Sequence, residues 1–233
     1  MASRSLGSSD KRRYHAKGSE ADFSKARGHY LQALVFNIFK DFLFDQSIQI
    51  HASAMTTITS PLPEDSLLLA ELTKISEIDY EQDPTPLQRQ GAEAVIDFIA
   101  DFAADGLVRD KRLVALVLTR LKDLQVRDFA LGSVSTENIE LYFNAWNWLL
   151  RHAPQGYVAP VANLLAAVAY EKGDGGVAHR ALDRAVKDDP EYAMTGLLRQ
   201  VFSSGWSPST FAVMRQELHP RICDAIFSGS INP

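Results

Sequence analysis

Cysteine is nearly absent from this chain, with Cys223 the single one in 233 residues. That excludes an internal disulfide framework and any zinc site built from cysteines. No stretch reaches the roughly 18 uninterrupted apolar residues of a membrane span, and the first thirty residues lack the apolar core of a secretory signal. The expected compartment is the cytoplasm, and no membrane partner is expected. Glycine (13) and proline (10) are too sparse for a collagen-like or low-complexity chain. The six histidines, His15, His29, His51, His152, His179 and His219, form no HxH, HxxxH or HExxH pair, so no locally encoded zinc site is expected. His51 and His152 read as capping or surface histidines. GxSxG, GxGxxG and CxxC patterns are also missing. No cofactor and no hydrolase, transferase or redox activity is therefore expected.

What is present is an ordinary globular composition, 46% hydrophobic and 23% charged. The length suits one large domain or two small ones. The net charge of -5 is unevenly spread. Residues 1–28 hold seven Lys or Arg against three acids, whereas residues 64–110 hold twelve acids against Lys74, Arg89 and Arg109. The basic arm either binds phosphates and anionic surfaces, folds back on the acidic middle, or is a solvated tail.

Helical periodicity runs through most of the chain. From Phe23 to Asp45, Tyr30, Leu31, Leu34, Val35, Ile38, Phe39, Phe42 and Leu43 form a stripe that Phe36 and Phe44 thicken beyond one face. Such a helix is deeply buried or pairs with another chain. Residues 48–59 instead alternate with period two, a strand-like signal with no evident partner strand. A two-fold dimer through residues 30–59 would cover both; a helix sunk in the core, with 48–59 draped over it, is the alternative.

Glu64 and Asp65 suit the start of a helix through Leu68, Leu69, Leu72, Ile75 and Ile78. The acidic, proline-punctuated stretch 77–86 predicts a boundary, giving a basic arm (1–22), an N-terminal helical portion with a short extended segment (23–83) and a C-terminal helical stack (84–233). Further helices are predicted from Val95 to near Gly106, from Leu113 through Leu124 until the pattern fades at Gly132, from a Ser135 cap to Leu149, and from Pro160 to Tyr170. The expected fold is all-α, an antiparallel stack of seven to nine helices with at most a short hairpin or edge strand.

Residues 162–196 carry the most specific pattern. Gly173-Asp174-Gly175-Gly176 separates two helices, the second with Ala178, Leu182 and Ala185 on a narrow small-residue stripe, and Pro190 follows. A helix pair of about 34 residues with this pattern has the spacing of a tetratricopeptide unit. Small residues allow the close helix crossing. Ala166 and Ala169 stand where that unit usually has glycine and tyrosine.

A wider resemblance rests on Val126-Arg127-Asp128, Trp148, Leu164-Leu165-Ala166 through Tyr170, Gly173-Asp174-Gly175, Ala178, Ala181-Leu182, Arg184-Ala185, Asp189-Pro190-x-Tyr192, Leu197-Leu198 and Gly205. In these residues, over about 110–208, the chain resembles the C-terminal helical part of a large family of uncharacterised actinobacterial proteins, classed as a domain of unknown function. Members of that family are usually longer, with an N-terminal α/β portion and paired cysteines. This chain has neither that length nor those cysteines, so its first hundred residues are expected to be unrelated to the family or a reduced form of it. The resemblance implies no activity.

Motifs for ligand chemistry fail on detail. The glycine-rich turn at 173–176 lacks the lysine and hydroxyl of a phosphate loop, and Asp174 would repel phosphate. The acids Glu77, Asp79, Glu81 and Asp83 do not make a calcium loop, because Pro84 and Gln90 stand where glycine and glutamate are needed.

Two candidate interaction surfaces remain. Glu93, Asp97, Asp101 and Asp105 recur every four residues as an acidic ridge, a spacing that disfavours a helix by a few tenths of a kcal/mol per pair. It suits a basic partner, the chain's own arm included, or is a solvated face. Trp148 lies about 200° round its helix from Trp146, so either that helix packs on two sides or one indole lines a groove. The expected function is a non-enzymatic helical protein–protein interaction module. Its rival is a nucleic-acid-associated protein in which Arg12 and Arg13 hold phosphates and Tyr14 stacks on a base.

Overall fold

The computed structural model describes residues 61–227. The basic arm with Arg12 and Arg13, the helix carrying Phe36 and Phe44, and the strand-like segment 48–59 all lie outside the described residues. Within them the fold is all-α, with nine helices and no strand.

The acidic middle opens with α1 (Ser66–Leu72). Asp65 is its N-cap, accepting from the Leu67 and Leu68 N–H groups. This helix is shorter than its apolar periodicity predicts. Beyond Leu72 the backbone closes i→i−3 turns, Lys74 N–H to Glu71 O and Ile75 N–H to Leu72 O, which leave Ile75 and Ile78 half-buried outside the helix. α2 (Thr85–Asp105) starts with Pro86 in its first turn and ends at Gly106, whose φ of 71° is the left-handed conformation glycine adopts without strain.

The single helix expected from Leu113 to Gly132 is two helices, α3 (Lys111–Arg120) and α4 (Leu124–Gly132). The break belongs to Asp123, which caps α4 through the Val126 N–H (3.0 Å). Its other oxygen accepts from the Tyr80 hydroxyl (2.7 Å) and Gln88 Nε2 (3.0 Å). A buried carboxylate with three donors fixes a turn that hydrophobic periodicity does not record.

α5 (Ile139–His152) follows a turn in which Ser135 is not the cap. The Ser135 N–H instead donates to the Asn138 side chain (2.6 Å), which donates in turn to Ser133 O. α6 (Val158–Glu171) is the centre of the core, with every residue from Ala159 to Tyr170 buried. It has no charged residue before its final Glu171, as a helix covered on all sides requires. Its one polar core residue, Asn163, donates to Ala159 O and Thr195 Oγ1, both at 2.8 Å.

Gly173 (φ 81°) turns the chain, and Asp174 caps α7 (Gly175–Asp188). Ala178, Ala181, Leu182 and Ala185 are fully buried on α6, and this pair is the most extensive contact between helices. α8 (Ala193–Ser203) and α9 (Pro208–Phe227) complete the fold, α9 packing on α4, α2 and α6.

Candidate functional site

The residues of the acidic ridge lie where their spacing puts them. Gly91, Ala92, Ala94, Val95, Phe98, Ile99 and Phe102 bury one side of α2, leaving Glu93, Asp97, Asp101 and Asp105 exposed on the other. Glu93, Asp97 and Asp101 have no ion pair among the described residues. Asp105 differs, since Arg109 reaches it at 3.6 Å across one turn. Between the acids stands Ile96, 52% exposed. The outer face of α2 thus mixes unpaired carboxylates with an uncovered apolar side chain.

Trp146 and Trp148 both reach the same ring of α2. Trp146 is fully buried and stacks on Phe98 at 5.8 Å and 10°. Trp148, half-buried, tilts on Phe98 at 6.1 Å and on Phe102 at 6.2 Å. An indole is large enough to reach round the flank of its helix, so the angular separation of the two residues does not send them to different neighbours. α5 also packs on α6.

Trp148 further contacts His152, ring centroids 3.9 Å apart, and His152 Nδ1 donates to the Trp148 carbonyl at 2.7 Å. His152 therefore caps the end of α5. Burial pushes its pKa down; the bond to Trp148 opposes this, and Lys111 and Arg151 add to it.

His152 lines a cleft of about 310 Å³ between α1, the ends of α5 and α7, and the start of α6. Asp188, at the end of α7, accepts from the N–H groups of Gly156 (2.6 Å), Val158 (2.9 Å) and Ala159 (2.9 Å) and so closes the start of α6. Asp65 pairs with Lys111 at 2.8 Å. That bond, with the backbone N–H groups Asp65 caps, holds its carboxyl below the usual range. Arg184 donates to Leu150 O at 3.1 Å. Lys111 also borders a second hollow of about 490 Å³ with charged walls, including Glu71, Lys74 and Arg112. No sequence signal marks the cleft, because its walls come from four helices and each polar residue fits an ordinary helical position.

Two distant parts of the resemblance meet elsewhere. Arg127 pairs with Asp128 through Nε (2.9 Å) and Nη2 (2.7 Å), and its Nη1 faces the Tyr192 hydroxyl at 3.4 Å. Burial pushes the Tyr192 phenol up. These residues join α4 to the start of α8 and face no cleft described above.

Among the described residues no three His, Cys, Asp or Glu side chains group as metal ligands, and no helix is long and apolar enough to cross a membrane.

Comparison with protein-family models matches residues 62–209 to the model described as "Domain of unknown function (DUF4192)". The match begins well before residue 110, so α1 and α2 fall within the family region and not in an unrelated N-terminal portion. No curated protein and no solved structure matches the chain.

Proposed function

The chain belongs to the DUF4192 family of domains of unknown function, and from that premise we propose that it is a non-enzymatic helical protein–protein interaction module. The observation that carries this reading is the outer face of α2. Three carboxylates without cations flank an exposed isoleucine there, at a spacing that works against the helix itself. A partner segment with basic residues round an apolar side chain complements that face. We read α6 and α7 as a tetratricopeptide-like pair, supported by their small-residue crossing and by Pro190 at the exit, a helix pair built to stack beside others. A cytoplasmic setting fits the single cysteine.

A photo-reactive residue placed at position 96 of the full chain tests the proposal in cells. The expected result is capture of a discrete partner that disappears when Asp97→Lys and Asp101→Lys are combined, with helix content unchanged. The same captured proteins with and without the charge reversal would sink the reading. The homodimer through residues 30–59 is a separate part of the proposal; light scattering tests it, and a monomer at tens of micromolar removes it. The nucleic-acid alternative depends on residues 4–27, and no observation on the described residues favours it.

A further inference from the structure

The cleft between α1, α5 and α7 contains a half-buried cation, Arg184, that forms no ion pair among the described residues. Its hydrogen bond runs from Nη2 to Leu150 O, and Nη1 is shielded from water without a partner. Burial pushes its pKa down, and only the charge of Asp188 acts the other way. Withdrawing a guanidinium from water costs free energy that a counter-charge ordinarily offsets.

Among the nearby carboxylates only Asp188 offsets part of that charge, and none forms an ion pair with Arg184 among the described residues. Asp188 is committed to three backbone N–H groups. Asp65 is held by Lys111 and by the start of α1. Glu64 is exposed and lines the cleft without an ion pair. Lys187, one turn beyond Arg184 on α7, lines the same cleft, is exposed and is likewise unpaired among the described residues. The remaining wall is largely apolar, with Leu68 and Leu69 of α1 facing Pro154 and Val158.

We propose that this cleft binds a small carboxylate carried on a compact apolar body, its oxygens held by Arg184 and Lys187 and its apolar part set against Leu68 and Leu69. A carboxylate set between the Arg184 guanidinium and the Lys187 ammonium gains charge-assisted hydrogen bonds, which are stronger than neutral ones. A single negative charge suits a wall where Asp188 and Glu64 would repel a dianion. The volume is at the lower end of ligand pockets, which run from roughly 300 to 1,000 Å³. This site uses none of the ridge residues and goes beyond the interaction reading.

The probes are 4-methylpentanoate and 4-methylpentanamide, which share a shape and differ in charge. Binding to the full chain is read from tryptophan emission, since Trp148 lies against His152 in the cleft wall, and from amide NMR shifts. The acid is expected to saturate, and the amide to bind at least about tenfold more weakly. Arg184→Gln and Lys187→Gln are each expected to weaken the acid about tenfold while leaving the amide unchanged. If Arg184→Gln does not fold, the comparison of acid with amide on the unaltered chain and the surface variant Lys187→Gln decide the matter. Equal binding of acid and amide, no saturation by the acid up to about 10 mM, or full affinity in the folded variants overturns the proposal.

Discussion

Arg215 and Glu171 meet as a two-pronged ion pair, Nε to Oε1 at 2.6 Å and Nη2 to Oε2 at 2.9 Å, with side chains 2% and 6% exposed. The remaining nitrogen, Nη1, donates to the carbonyls of Leu131, Gly132 and Val134, where α4 ends. One side chain of α9 thus joins α6 to the end of α4 and satisfies carbonyls that a helix terminus leaves open. Arg215→Met strands a buried carboxylate and those carbonyls together, and is expected to cost about 3–5 kcal/mol in urea unfolding. Adding Glu171→Leu should recover part of that loss, since the uncompensated charge goes with it. A double variant less stable than Arg215→Met would show that the carboxylate is not what destabilises the single one.

Glycine in a helix ordinarily costs about 0.5–1 kcal/mol relative to alanine. Gly196 of α8 follows that rule, because a Cβ there meets nothing within 4 Å, and Gly196→Ala should stabilise by about that amount. Gly132 reverses it. A Cβ on Gly132 would lie 2.8 Å from His219 Cβ, and one on Gly91 would lie 2.8 Å from both Arg120 Cβ and Val126 Cγ2. Gly132→Ala and Gly91→Ala should each cost about 1–3 kcal/mol, as overpacking does. Thermal unfolding of the three variants gives the signs.

His219 rests against that glycine and the Phe129 ring, with Arg215 nearby and Cys223 Sγ 3.5 Å from its Nε2. Burial and the Arg215 charge push its pKa below the usual 6.5. The unfolded chain therefore binds a proton at a higher pH than the fold does, and stability rises with pH across that interval. His219 contributes fully above about pH 6.5, and the contribution drains as pH falls towards the lower folded value. Unfolding midpoints followed from about pH 7.5 to 5.5 should decline, less steeply in His219→Gln. Some slope should persist, because the pKa of His152 is shifted the same way.

Hydrophobic periodicity located the elements wherever burial alone decides them. α6 is legible because its apolar run has no exposed face to interrupt it, and α7 because its small residues and its charges segregate. The boundary at Asp123 is not legible, since the donors that fix the turn there, Tyr80 and Gln88, are 43 and 35 residues away in the chain. α9 is obscured by Pro220 in its interior and by a mixture of polar and apolar residues, its place being set by Arg215 and by ring contacts from Phe227 to Phe129. The ridge could be read from spacing because a helix surface is a local pattern. The cleft could not, because Asp188 and Arg184 acquire their roles only where α5 and α6 meet the end of α7.

Asp188 gives a direct measure of that junction. Its carboxylate, supplied by α7, does for α6 what an N-cap residue does for its own helix. Asp188→Ala leaves three N–H groups without their acceptor and is expected to cost about 1–3 kcal/mol. Asp188→Asn keeps an oxygen acceptor and should cost less. Amide hydrogen exchange should rise first at residues 156–159, and unchanged protection there would mean that the cap does not hold the start of α6.

The ridge on α2 makes the opposite prediction, that removing charge stabilises the fold. Asp97 stands one turn from both Glu93 and Asp101, and none of the three has a cation among the described residues. Asp97→Asn removes two like-charge pairs and should raise stability by a few tenths of a kcal/mol for each. The gain should shrink as salt screens the repulsion. Asp105→Asn removes one such pair but also loses the Arg109 contact, so its gain should be smaller or absent. Unfolding midpoints at low and high salt compare the two. If Asp97→Asn is neutral at low salt, the ridge is a solvated face whose charges do not oppose the helix. If it stabilises, the acids are held against the interest of the fold, as residues kept for a function commonly are, and the reason for them lies in what α2 meets.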